Sequence, residues 1–157
     1  MLDEPQIVET QAQPTAVIRL TIPRAEIQKV MGPAIGEVIA AAAAQGVGLA
    51  GPVFSHHFKM DPAMFYFEVG VPVSGPIKPT GRVVASQLPA GRAVARTIYR
   101  GPYDGLGAAW GEFCQWISAQ GHKTADNLWE RYLAGPESSP DPAKWETELN
   151  RPLNNGT

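Results

Sequence analysis

The sequence lacks most of what would mark a specialised environment. It has one cysteine, Cys114, in 157 residues, so no disulfide can form within the chain, and a reducing, cytoplasmic setting is expected. Lys and Arg number 13 against 15 Asp and Glu, a net charge of −2, and no segment concentrates positive charge. Nucleic acid is therefore not expected as a direct partner, because phosphate recognition needs a dense basic surface. No apolar run is long enough for a bilayer, the longest being the short, alanine-rich stretch 38–44, and no membrane association is expected. Residues 1–13 carry Asp3, Glu4 and Glu9 and no apolar core, so they do not read as a secretory leader. What remains, 44% apolar and 18% charged residues, is the balance of a folded domain with its own core.

Signals for metal, cofactor or nucleophile chemistry are equally thin. His56 and His57 are adjacent, and neighbours on a strand point to opposite faces, so they cannot chelate together and no metal is expected. The run Gly46-Val47-Gly48-Leu49-Ala50-Gly51 fits G-x-G-x-x-G. A dinucleotide loop, however, follows a strand and opens a helix, and this one follows a helical pattern and meets Pro52. No cofactor is expected. Cys114 has no base near it in sequence and is expected as a buried apolar residue of a helix.

What the sequence does contain is itself, twice. The segments 7–11 and 17–22 match 83–87 and 93–98 at an offset of 76, Ala44-Gln45-Gly46 matches Ala119-Gln120-Gly121 at 75, and 65–73 matches 145–153 at 80. Such ordered matches indicate an internal duplication. Each half reads as two β-branched stretches, a helix and two more strands. Leu106, Trp110, Phe113 and Ile117 form one helical face, stopped by Gly121; Ile27, Val30, Met31, Ile35, Val38, Ile39 and Ala42 form the other, stopped by Gly46. Pro33 either kinks that first helix or marks its first turn. The expectation is an α+β domain over 1–157, with half-repeats 6–73 and 82–153 and a linker 74–81. The halves would join about a pseudo-twofold axis into an eight-stranded, mostly antiparallel sheet with two main helices and a central cleft.

The residues of the second half then narrow the reading. The run Tyr99-Arg100-Gly101-Pro102-Tyr103-Asp104-Gly105-Leu106, with Trp110, Phe113, Trp116 and Gly121, then Trp129-Glu130-Arg131-Tyr132-Leu133, then Thr147 to Leu153, resembles the GyrI-like small-molecule-binding domain. This is also called the AraC-type effector-binding domain, of the SOUL superfamily. The resemblance covers nearly the whole chain. It implies an aromatic groove with one buried glutamate that faces lipophilic cations, by motif match Glu130, with Tyr132 and Tyr103 as family tyrosines.

A carboxylate among rings is costly unless paired, so the Glu130 pKa is expected to rise in the empty site and to fall when a cation arrives. Ring faces add cation–π attraction. On a strand Glu130 and Tyr132 share a face. By the repeat, Ser55 and His57 take their places in the first half, and Phe65, Phe67, Met60, Met64, Trp110 and Trp145 are further lining candidates. Glu68 and Glu148, equivalent by the repeat, are expected in structural roles.

The expected function is a stand-alone protein that senses or sequesters a hydrophobic, aromatic, cationic small molecule, the repeats leaving no room for a DNA-reading domain. Two alternatives use the same resemblance. One is hydrolysis of strained cyclopropane-type electrophiles, with Glu130 and Tyr132 as the catalytic pair. The other is a gyrase-inhibitor-like interaction with a protein partner. Haem binding, by analogy with the superfamily, ranks below both.

Overall fold

The structure, a computed structural model, describes residues 2–59, 61–136 and 138–154, apart from the side chains of Gln28 and Lys59. In chain order the elements are β1 (Gln6–Thr10), β2 (Gln13–Pro23), α1 (Ile27–Ala44), β3 (Phe54–Lys59), β4 (Met64–Pro72), β5 (Val83–Leu88), β6 (Gly91–Arg100), α2 (Leu106–Ala119), β7 (Leu128–Ala134) and β8 (Glu146–Pro152). Short 3-10 turns, Arg24–Glu26 and Tyr103–Gly105, lead into the two helices. The fold is α+β, with eight strands and two main helices, and the strand ladders within each half are antiparallel.

The chain forms two compact units, residues 11–90 and residues 1–10 with 91–157. In the first the strands run β3-β4-β2-β5, and in the second β1-β6-β8-β7. The units do not coincide with the sequence repeats. β1 pairs with β6 and β5 pairs with β2, so the leading strand of each repeat completes the sheet of the other. The stretch 74–81, expected as the linker between halves, packs on the first unit. Ile77 is buried in the core of the first unit, and the Gln45 amide both donates to Lys78 O and accepts from Lys78 N.

Both halves keep the same register on their helix side. Ile18 and Ser55 flank Val69 on β4, as Thr97 and Glu130 flank Leu149 on β8. Ile18 and Thr97 are thus equivalent at an offset of 79, not the 76 suggested by residue similarity. A three-residue slip turns every side chain of a strand to the other face, and β-branched strands are too alike in composition to forbid it. The same offset of 79 relates the turns Arg24–Glu26 and Tyr103–Gly105 and the first residues of both helices. α1 has 18 residues and α2 has 14. The difference is about one turn, so the helix face is kept while the offset falls to 75 at the stops. Those stops are Gly46 and Gly121, at φ 69° and 81°, a left-handed conformation that suits glycine. Pro33 lies inside α1, beyond its first turn.

Each helix covers one face of its own sheet. Ala34, Val38, Ala41 and Ala42 of α1 are buried against Ala16, Ile18, Phe67, Val69 and Val71. Ala109, Phe113 and Ile117 of α2 are buried against Ala95, Tyr99 and Leu149. Ile39, expected on the α1 stripe, is exposed, and Cys114, expected to be buried, is only half-buried because it lies one step off the Phe113–Ile117 face. On the opposite face of the sheets, buried Glu68 accepts from Arg19 Nε (2.6 Å) and Ser86 Oγ (2.7 Å). Its counterpart Glu148 accepts from Arg131 (3.0 Å) and Asn150 (3.0 Å). Both act as fasteners between strands. Among the described residues no helix is long and apolar enough to cross a membrane.

Candidate functional site

Glu130 lies in the middle of β7 with its side chain on the helix side, because it pairs with Leu149 of the core. It is 9% exposed. Trp110, on the edge of α2, donates its indole N–H to Glu130 Oε2 at 2.6 Å, and the Tyr132 hydroxyl donates to Oε1 at 2.8 Å. Trp110 reaches the carboxylate because it precedes Phe113 by one turn on the half-covered margin of the helix face. Both donors are neutral groups, so they hold the carboxyl group in place without contributing a positive charge of their own.

Further rings continue from this pair. Tyr103, the first residue of the 3-10 turn before α2, meets Tyr132 edge-on with centroids 5.9 Å apart and lies 5.0 Å from Trp145. Trp145 is fixed by its indole N–H, which donates to Ser139 O at 2.9 Å. Tyr103, Trp110, Tyr132 and Trp145 are all half-buried, whereas Glu130 itself is buried. All five candidates of the second repeat therefore come together within one unit. The turn that presents Tyr103 is shaped from below. Tyr99 is buried and donates its hydroxyl to Pro102 O at 2.9 Å, and it lies so close under Gly101 and Gly105 that a Cβ at Gly105 would come within 2.1 Å of its oxygen.

The first repeat supplies a different group. His57 and Ser55 face the helix side of β3, with His57 Nε2 and Ser55 Oγ 3.2 Å apart. The His57 ring stacks on Phe67 (4.9 Å, 8°) and meets Phe65 edge-on (5.1 Å). Burial, with smaller contributions from the charges of His56 and Arg24, holds the His57 pKa down at about 4, so the ring is neutral at pH 7. Strand alternation puts Met64 on the other face from Phe65 and Phe67, so it does not join this group. Met60 lies outside the described residues. His56 faces away from His57, opposite Glu68.

One residue of this group escaped the sequence reading. The Arg24 guanidinium carbon sits 4.5 Å from the centroid of Phe65, and its Nε–H donates to Asp61 O at 2.6 Å. The available signal was a proline. Pro23-Arg24 stands 79 residues before Pro102-Tyr103, each pair opening a 3-10 turn, and the offset of 76 concealed the match.

No curated protein sequence matches the chain. Among solved structures, the C-terminal domain of EcmrR superposes with a TM-score of 0.84 at 23% identity, covering 97% of this chain and 98% of that one. EcmrR in its complex with DNA gives 0.83 at 22% identity over 97% of this chain. The chain spans only 57% of that protein's length. SAV2435, solved with tetraphenylphosphonium, gives 0.65 at 12% identity, over 97% of this chain and 94% of that one. At these identities the likeness is one of fold. The sequence itself matches the GyrI-like small molecule binding domain over residues 3–153, and the chain belongs to that family.

Proposed function

We propose that the chain binds lipophilic, aromatic cations at the Glu130 cluster, as a sensor or sequestering protein for such compounds. The observation that carries this reading is a buried carboxylate held by two neutral donors, Trp110 and Tyr132, with half-buried rings beside it. A carboxylate fixed in this way presents negative charge to a guest that the rings can also attract. Each ring face contributes on the order of 0.5–2 kcal/mol to a cation laid over it. Because rings impose shape only loosely, the expected ligands vary in outline and agree in charge. The liganded relative supports the choice of probe, since SAV2435 holds tetraphenylphosphonium. Hydrolysis would ask more of the same atoms, a water held in line with an electrophilic carbon. Binding needs only the charge and the rings, and is the reading put forward.

The test is a calorimetric titration with tetraphenylphosphonium. Glu130→Gln keeps the shape, removes the charge, and sets an amide N–H₂ against one of the two donors. The variant should bind at least about tenfold more weakly, roughly 1.4 kcal/mol or more. Equal affinity in both proteins would remove Glu130 from the site.

A further inference from the structure

The first unit contains a counterpart of the Glu130 cluster in which the charge is reversed. By strand register and turn position, Arg24 stands where Tyr103 does, Ser55 where Glu130 does, His57 where Tyr132 does, and Phe65 where Trp145 does. The contact between turn and strand is preserved: Tyr103 lies 5.0 Å from Trp145, and the Arg24 guanidinium lies 4.5 Å over Phe65. The acid has become a serine and a tyrosine has become an arginine. We propose that Arg24 and Phe65, backed by buried His57 and Ser55, form a binding site that takes an aromatic anion: a flat ring system bearing a carboxylate, sulfonate or phosphate.

The chemistry of each group favours that guest. Arg24 is half-buried, and its Nε is committed to Asp61 O, which fixes the plane of the fork. Among the described residues its two terminal nitrogens carry no hydrogen bond. A guanidinium so held offers two parallel N–H donors to a two-oxygen anion, the geometry in which arginine surpasses lysine. Asp61 Oδ1 accepts from Ala63 N (2.8 Å) and Met64 N (3.0 Å) within its own turn. Half-buried Phe65 supplies ring surface, and buried Phe67 and His57, the latter neutral at pH 7, back it without adding charge. Behind that surface His57 Nε2 and the Ser55 hydroxyl, both buried, lie 3.2 Å apart. The positive charge of Arg24 disfavours a cation.

The test uses two fluorescent probes with the same rings, 8-anilinonaphthalene-1-sulfonate and the uncharged N-phenyl-1-naphthylamine. The intact protein should bind the sulfonate at least tenfold more tightly than the neutral probe. Arg24→Gln should abolish that preference by weakening sulfonate binding tenfold or more while leaving the neutral probe within twofold. In the wild-type protein, the Arg24 Nε–H resonance should move on saturation with the sulfonate. Equal affinity for the two probes, or an unmoved resonance, overturns the proposal, and these two readings decide it even if Arg24→Gln fails to fold. A folded Arg24→Gln that retains the preference overturns it as well.

Discussion

Thr147 is fully buried on β8, directly across from Tyr132 on one side and Tyr99 on the other, and its hydroxyl has no hydrogen-bond partner among the described residues. An unmet buried hydroxyl costs about 1–3 kcal/mol. The equivalent position in the first unit is Phe67, which is wholly apolar, so this place in the fold has no need of a polar group. Thr147→Val keeps the branched shape and removes the oxygen. It should leave stability unchanged or raise it by about 1 kcal/mol, seen as a higher urea midpoint at constant slope. A fall of that size would show that the hydroxyl is bonded after all. The same substitution of residues explains what was legible at this scale. Glu130, Tyr132 and Tyr103 are named in the sequence only through their resemblance to the family motif, with Trp110 and Trp145 as further lining candidates, and the structure brings the five side chains into one cluster. Arg24 could not be named, because a lone arginine after a proline reads as solvated surface until the register of the repeat is known. Met64, a lining candidate by residue type, lies one step of strand alternation away from the face of Phe65 and Phe67.

At the scale of elements, the helices were readable from hydrophobic spacing and their stops from glycine, and the strands were located but not bounded: β2 begins at Gln13, four residues before the stretch 17–22. Register was not readable, because nothing in β-branched strands of similar composition distinguishes one offset from another. Some residues do fix it by shape. Gly70 on β4 pairs with Val17 on β2, and a Cβ at Gly70 would lie 2.0 Å from Ala16 O and 2.9 Å from Val17 Cα. Both obstacles are backbone, so no side-chain rotation relieves them, and β2 and β4 must part. Because these two strands carry the core face over which α1 packs, Gly70→Ala should cost about 3 kcal/mol and lower Tm by roughly 10 °C. A calorimetric scan showing a change under about 2 °C would mean that the strands tolerate the wider spacing. The exchange of β1 and β5 between the repeats was invisible to sequence for a similar reason. Local pattern identifies a strand, but not which of two similar sheets it completes.

For the whole molecule, duplication has preserved the scaffold and changed the chemistry. The buried fasteners Glu68 and Glu148 remain in both copies, while the positions facing each helix end have diverged into an acid among rings in one copy and a buried neutral histidine in the other. That histidine ties acid stability to the first unit. The folded pKa of His57 is about 4 and the unfolded value is near 6.5, so between these the unfolded chain binds a proton that the folded chain refuses. Stability is therefore complete above about pH 6.5 and is lost progressively as pH falls toward 4, with no further loss from this group below that. The window corresponds to about 3 kcal/mol, a large share of the 5–15 kcal/mol typical of a domain. His57→Phe keeps a flat ring against Phe67 and removes the titration. Urea midpoints measured at pH 7.5 and pH 4.5 should fall sharply in the wild-type protein and by a clearly smaller amount in the variant. Parallel declines in the two proteins would show that His57 takes up its proton without disturbing the fold and is not the origin of the acid sensitivity.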